Sequence, residues 1–216
     1  MSDKKVIVIS LILNLAIVLS TIFAVGSYFT SSPDILGSSR GGCFKYFTTD
    51  SNVLCAVTAL ILCFFEVKQL FTSQMVIPKW AVILKFTGVV SVTVTLLTVI
   101  FFLAPVSCLK GGWSNFLFYF KGNVFALHLS TPVLAIISFV FFEKTVHLGS
   151  KDLLWALIPT ILYSFVYLYM VVFAHKWNDW YGFTFGGKLF LAPVSMAGMY
   201  LATWGIAWIL VKLRHC

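Results

Sequence analysis

The sequence predicts an all-α fold: a polytopic membrane protein built as a bundle of six transmembrane helices. Three observations carry that prediction. Sixty per cent of the 216 residues are apolar and only 10% are charged, with a mean hydropathy of +0.99, a balance that belongs to integral membrane proteins. The apolar residues fall into six runs, each near the roughly 20 residues that an α-helix needs to cross hydrocarbon. Tryptophans and basic residues sit at the ends of those runs, as an interfacial belt requires. The runs use most of the chain, so residues 1–216 are expected to form one transmembrane domain with no separate soluble unit.

The first span, about Val6–Tyr28, follows Met1-Ser2-Asp3-Lys4-Lys5. That start looks like a signal-peptide head, but the apolar stretch is longer than the roughly 7–15 residues of a cleaved core, so it reads as a retained anchor. The second span, about Phe44–Phe65, opens with the run FKYFTTDSN. The third is about Trp80–Ala104, the fourth about Asn115–Phe142, the fifth about Leu153–Phe173 and the sixth about Leu189–Lys212. Lys4, Lys5, Lys68, Lys79, Lys144, Lys151, Lys212 and Arg214 fall on one side of the membrane, and Arg40, Lys110, Lys176 and Lys188 on the other. The richer side is expected to be cytoplasmic and carries both termini. Trp80, Trp155 and Trp208 are placed at the inner interface, and Trp113, Trp177 and Trp180 at the outer one.

The net charge of +8 is accounted for by orientation and lipid headgroups, so the expected partners are membrane lipids and not nucleic acid. The location implied is the cell membrane, spanned several times. A homodimer is one assembly that this topology permits. Cys55 and Cys63 read as buried apolar residues. Cys43 and Cys108 both fall near the outer side, where either a disulfide or two thiols would fit. No cysteine or histidine cluster has metal-ligand spacing, and neither a metal nor another cofactor is expected. Pro132, Pro159 and Pro193 lie inside spans four, five and six, where each frees a backbone carbonyl.

The chemistry concentrates in two places. Thr48, Thr49, Asp50, Ser51 and Asn52 put five consecutive polar residues at the start of an apolar span, and His128 lies inside the fourth span. Polar and ionisable groups are costly in hydrocarbon and mark functional sites by default. At about 100° per residue, Lys45, Thr48, Thr49 and Asn52 share one face of span two, while Asp50 points away. Lys121, His128 and Thr131 share a face of span four, with Asn123 and Ser130 opposite. Thr48 lies about 7 Å below Cys43, whereas His128 lies about 20 Å below Asn115, so the two meet only if span four protrudes. A hydroxyl and an imidazole are the minimum for a nucleophile and its base. Plainer roles are open for each. A membrane threonine such as Thr49 or Thr131 can bond the carbonyl four residues back. Asn52 can bond across helices, Lys45 can snorkel, and Asp50 can pair with Arg40 or Lys45 or line a water pocket. His128 itself can be catalytic, ligand-binding or a link between helices.

FKYFTTDSN in span two, His128 within ALHLSTP in span four, and WYGF (Trp180 to Phe183) before span six resemble one family. It is that of the androgen-induced-gene and androgen-dependent-TFPI-regulating proteins, with its bacterial six-span relatives. The resemblance implies an intramembrane hydrolase of lipid esters, of the type formed between fatty acids and hydroxy fatty acids. Its motif threonine matches Thr48, three residues after Lys45, and its motif histidine matches His128. Thr48 is then the nucleophile and His128 the base. Asn52 and Lys45 are the first candidates for oxyanion donors, with Asn123 and Asp50 as further substrate-binding candidates. The sequence departs from the family in three ways. Proline follows the histidine by four residues and not five, Asn123 does not keep the family's spacing to the histidine, and Gly182 stands where proline is common. Three other readings compete: a six-span binding or transport protein that captures a small molecule from the outer face, with Trp177 to Tyr181 as a lid; an ion-coupled transporter using Asp50 and His128; and a structural or regulatory membrane protein with no small ligand.

Overall fold

The computed structural model describes residues 3–30, 40–72 and 77–215. The Ser/Gly-rich middle of the first loop, residues 31–39, lies outside them, as do Met1, Ser2 and Cys216. The described chain is helical with no strand. Six helices are long and apolar enough to cross a membrane: α1 (Lys4–Thr30), α2 (Phe47–Phe71), α3 (Lys79–Gly111), α4 (Gly122–Phe142), α5 (Ser150–Phe173) and α6 (Leu189–His215). Their outward faces carry large exposed apolar side chains such as Phe23, Phe101, Phe173 and Leu201, which suits hydrocarbon as a solvent. The spans run antiparallel in sequence order. One end of the bundle holds the start of α1 and the end of α6, and is called the terminal end below; the opposite one is the loop end.

The third and fourth spans are the most buried. In the most apolar window of each, 56% of residues are buried, against 22% for α1 and for α5. A close approach joins α3 to α2: a Cβ on Gly88 would lie 2.6 Å from Thr58 Oγ1 and 2.9 Å from Cys55 Cα. Small residues at such crossings let backbones pack where no hydrophobic effect drives them together. Nearer the loop end, the hydroxyls of Ser51 and Thr95 meet at 2.9 Å across the same pair of helices.

The span boundaries differ from expectation in ways that have local causes. The second span begins at Phe47. Residues Arg40–Lys45 form a separate 3-10 turn, and Tyr46 between them is extended (φ −104°, ψ 131°). Lys45 therefore does not share a helical face with Thr48, Thr49 and Asn52. The fourth span begins at Gly122 and not Asn115. Trp113–Phe118 is a short helix of its own, Lys121 is extended, and Gly122 takes φ +59°, a region that favours glycine. The protrusion that the depth argument required is replaced by this break. His128 lies six residues into α4, about 9 Å along its axis, so no extra turn is needed to bring it level with the first turns of α2.

Proline accounts for a further irregularity. Ala126–Ser130 is a π-helical turn, with the Thr131 N–H on the Ala126 carbonyl. In that register the next donor would be residue 132, which is proline and has none. The Leu127 carbonyl is left to find another partner, and the Asn52 side chain of α2 supplies one at 3.0 Å. A second π turn, Val99–Leu103, precedes Pro105 in α3. Pro159 and Pro193 instead sit in the first turns that follow the 3-10 openings of α5 and α6, where a missing N–H costs little.

Candidate functional site

At the loop end a cavity of about 130 Å³ is lined by both Thr48 and His128. Thr49 of α2 and Tyr46 just before it stand beside Thr48, Tyr28 comes from α1 and Leu103 from α3. Tyr119 precedes α4, and Trp180 and Tyr181 belong to the segment between α5 and α6. Thr48, Leu103 and Tyr181 also line a second, apolar cavity of about 50 Å³ with Val94, Val99 and Met199. Thr48 thus stands between a chamber with polar walls and an apolar one.

The imidazole is held in a defined state. His128 is 3% exposed, and its Nδ1 lies 2.8 Å from the Tyr119 carbonyl oxygen. A carbonyl only accepts, so Nδ1 carries the hydrogen and donates it. The neutral ring then has its lone pair on Nε2. The Tyr119 ring also lies against the imidazole, with centroids 5.8 Å apart, and its hydroxyl meets Ser107 at 3.2 Å. The break before α4 therefore has a function in the fold: it turns a carbonyl back onto the histidine that follows.

The segment between α5 and α6 is folded around Asp179. Its Oδ1 accepts from the Tyr167 hydroxyl and the Phe183 N–H, both at 2.9 Å. Its Oδ2 accepts from the Thr184 N–H at 2.8 Å and the Thr184 hydroxyl at 2.6 Å. Burial pushes this carboxyl upward, but the Thr184 bonds, with those from Tyr167 and Phe183, outweigh it and hold the pKa below the usual value of 3.8. Gly182 takes φ +71°, a conformation closed to proline, whose ring fixes φ near −65°. Glycine at that position is thus built into this turn. The knot fixes Trp180 and Tyr181 against the cavity. Trp180 packs on Tyr46 at 4.9 Å, and its buried Nε1–H has no hydrogen-bond partner among the described residues. The Tyr181 hydroxyl faces the side chains of Tyr163, Trp180 and Thr48, and burial pushes its pKa up to about 12. It therefore stays protonated and able to donate. Trp180 was expected in the interfacial belt; it lines the cavity instead, while Trp80, Trp113, Trp155 and Trp208 are exposed.

The other sequence candidates fall around this cavity and not in it. Asn52 is fully buried, and its Nδ2 donates to the Thr48 carbonyl at 2.7 Å and to the Leu127 carbonyl. Both N–H bonds of the amide are taken, and its Oδ1, an acceptor, has no partner among the described residues. Asn52 joins the backbone of Thr48 to that of the residue before His128. The Lys45 ammonium sits over the rings of Tyr46 at 5.1 Å and Trp180 at 5.8 Å, and Lys45 does not line the cavity. Asp50 lines a different cavity, of about 260 Å³, with Phe44, Leu54 and Pro159 between α2 and α5. Asn123 is half-buried in the first turn of α4 and lines none of these cavities. Thr131 does not bond back along its own helix: its hydroxyl donates to Ser20 of α1 at 3.0 Å. No disulfide joins Cys43 and Cys108, and Cys55 and Cys63 are buried as expected.

Sequence reasoning missed a second polar cluster, at the terminal end. Asn14 of α1, Glu66 of α2, Lys85 of α3 and Glu143 after α4 are all buried. Lys85 Nζ donates to Asn14 Oδ1 at 2.5 Å and lies 3.7 Å from Glu143 Oε1. Asn14 Nδ2 reaches Glu143 at 3.1 Å and Glu66 at 3.4 Å. Ser10 donates to Glu66 and Ser138 to Glu143. Arg214 of α6 is buried too, donating to the carbonyls of Glu143 and Val146. The signal was present: Asn14 and Lys85 each stand alone in an apolar run. No protein-family model matches this chain, and neither the curated proteins nor the solved structures give a match.

Proposed function

We propose that the protein is an intramembrane threonine hydrolase that cleaves lipid esters at the outer face of the membrane, with Thr48 as nucleophile and His128 as base. One observation carries the reading. Thr48 and His128 line one cavity, and the histidine's Nδ1–H is committed to a carbonyl, which puts the proton-accepting lone pair on Nε2. Thr48 Oγ attacks the ester carbonyl carbon and its proton passes to Nε2. The ester C–O bond breaks, and the leaving alcohol takes that proton. Water then attacks the acyl-threonine, giving a proton to Nε2 and releasing the fatty acid as Thr48 is restored. The first carbons of the acyl chain next to the ester enter the small apolar cavity that Thr48 also lines, and the rest of the chain extends beyond it.

The oxyanion needs donors. Asn52 has none to spare, and Lys45 does not line the cavity. The Trp180 Nε1–H and the Tyr181 hydroxyl take the role here, so Asn52 is a positioning residue that sets the Thr48 backbone against the His128 turn. The resemblance to the androgen-induced-gene family supports the same threonine and histidine.

The test is labelling of the purified protein by a fluorophosphonate probe, followed by turnover of a panel of fatty-acid esters of hydroxy fatty acids. Thr48→Ala and His128→Ala each lose labelling, and Thr49→Ala, altered at the neighbouring lining hydroxyl, keeps it. Labelling that survives in both of the first two ends the reading. The competing reading, capture of a small molecule from the outer face, draws support from the aromatic walls: Tyr28, Tyr46, Tyr119, Trp180 and Tyr181 all line the cavity. Copurification of a small aromatic or heterocyclic compound, displaced by Trp180→Ala, would favour it.

A further inference from the structure

The largest of the cavities described lies at the terminal end, about 390 Å³ in volume, between the start of α1 and the ends of α2 and α4. That is within the range of small-ligand sites. Its polar wall is made by Ser10, Glu66, Gln69 and Glu143, and its apolar wall by side chains such as Leu62 and Phe142. Two buried atoms on this wall have no hydrogen-bond partner among the described residues: Glu143 Oε2 and Gln69 Oε1. Glu143 is 4% exposed, and an unpartnered carboxylate oxygen at that depth is costly.

Both unpartnered atoms are acceptors. The buried cation nearby is already engaged, Lys85 being held by Asn14 and Glu143. The Arg214 guanidinium is turned to backbone carbonyls. Within the cluster two carboxylates, Glu66 and Glu143, face one buried ammonium. Lys144 also lines the cavity, as an exposed cation. An anion entering here would meet carboxylates and no unused buried donor. A ligand with several N–H donors would satisfy both orphan oxygens.

We infer that the terminal-end cavity is a binding site for a primary ammonium carried on an apolar body, with Glu143 Oε2 and Gln69 Oε1 accepting its N–H bonds and Leu62 and Phe142 packing its apolar part. Two sources share that chemistry: a soluble amine, and the ethanolamine headgroup of a membrane lipid, whose phosphate Lys144 is positioned to meet. The site is independent of the Thr48 and His128 chamber.

The test uses the full chain in non-ionic detergent, titrated with phenethylammonium and, as matched controls, 2-phenylethanol and 3-phenylpropionate. Calorimetry and the shift in unfolding midpoint are the readouts. Phenethylammonium binds saturably, about tenfold or more tighter than the alcohol, because a charged donor is exchanged for a neutral one. Gln69→Lys, which puts a cation on the half-buried wall, removes that binding, and Gln69→Glu retains it. Glu143→Gln weakens it, and if that variant does not fold the Gln69 pair still decides. His128→Ala leaves it unchanged, which separates this site from the proposed hydrolase. Equal affinity for the alcohol and the ammonium, or unchanged binding in Gln69→Lys, overturns the inference. Nanodiscs distinguish the sources: competition by phosphatidylethanolamine but not phosphatidylcholine assigns the site to a headgroup, and equal binding in both lipids assigns it to a soluble amine.

Discussion

The two ends of the bundle hold their central polar groups in different ways. At the terminal end, side chains from α1, α2, α3 and α4 bond directly to one another, with Asn14 bridging Glu66, Lys85 and Glu143. At the loop end, the polar groups are pinned by backbone: His128 by the Tyr119 carbonyl, Asn52 by the carbonyls of Thr48 and Leu127, and Asp179 partly by N–H groups of its own turn. The first arrangement joins helices. The second ties side chains to the main chain. The difference separates a clamp from a chamber.

The largest expected effect breaks the clamp. Lys85→Met leaves Glu143 without its buried cation and is expected to cost about 3–5 kcal/mol, the scale for removing one partner of a buried ion pair. Thermal unfolding in detergent measures it. Adding Glu143→Gln to Lys85→Met recovers part of the loss, since the uncompensated charge goes with it. Thr48→Ala, at the other end, costs less than about 1 kcal/mol because its half-buried hydroxyl bears on no comparable network. If Thr48→Ala destabilises as much as Lys85→Met, the contrast between clamp and chamber fails.

Next in size is Tyr181→Phe, which removes one proposed oxyanion donor while keeping the ring. Loss of a single such donor costs about 10²–10³-fold in rate in other acyl-transfer sites, and the fluorophosphonate labelling rate should fall by about that factor with the unfolding midpoint little changed. Asn52→Leu follows. It leaves the Leu127 carbonyl, already deprived of a donor by Pro132, unsatisfied at a buried helix contact. That costs about 1–3 kcal/mol and slows labelling as the Thr48 and His128 turns lose their link.

The six spans were legible because each needs only length and hydropathy, and Thr48 and His128 because each is polar in a place where polarity is costly. What periodicity could not see was any departure from the 3.6-residue helix. The Lys45 face was wrong because Tyr46 is extended. The start of α4 was wrong because Phe116 to Phe120 is as apolar as a span, and the break depends on one residue at positive φ, Gly122. Tyr28 and Tyr119 went unnoticed because an aromatic residue at a membrane interface looks like belt. The terminal-end network was missed for a different reason. Its members lie near the ends of the apolar runs or singly within them, and only folding brings them together from distant parts of the chain.

The smallest effect concerns the knot that carries Trp180 and Tyr181. Hydrogen bonds from Thr184, Tyr167 and Phe183 hold the Asp179 carboxyl below its unfolded pKa of 3.8. The ionised form is therefore the one the fold favours. Its contribution is fully present well above pH 3.8, begins to fall as the pH drops through that value, and is gone below the depressed folded pKa. The Tyr181 hydroxyl, with its pKa near 12, stays protonated throughout, so acid acts on the turn and not on the donor. Tryptophan fluorescence of the wild type should change reversibly as the pH falls through and below 3.8, before the helices melt. In Asp179→Asn the carboxylate is absent at every pH. The spectrum at pH 7 should resemble that of the acid form, labelling should be slower than wild type at pH 7, and no fluorescence step should remain. A step that persists in Asp179→Asn would mean that another carboxylate holds the loop end together, and that the chamber has a clamp of its own.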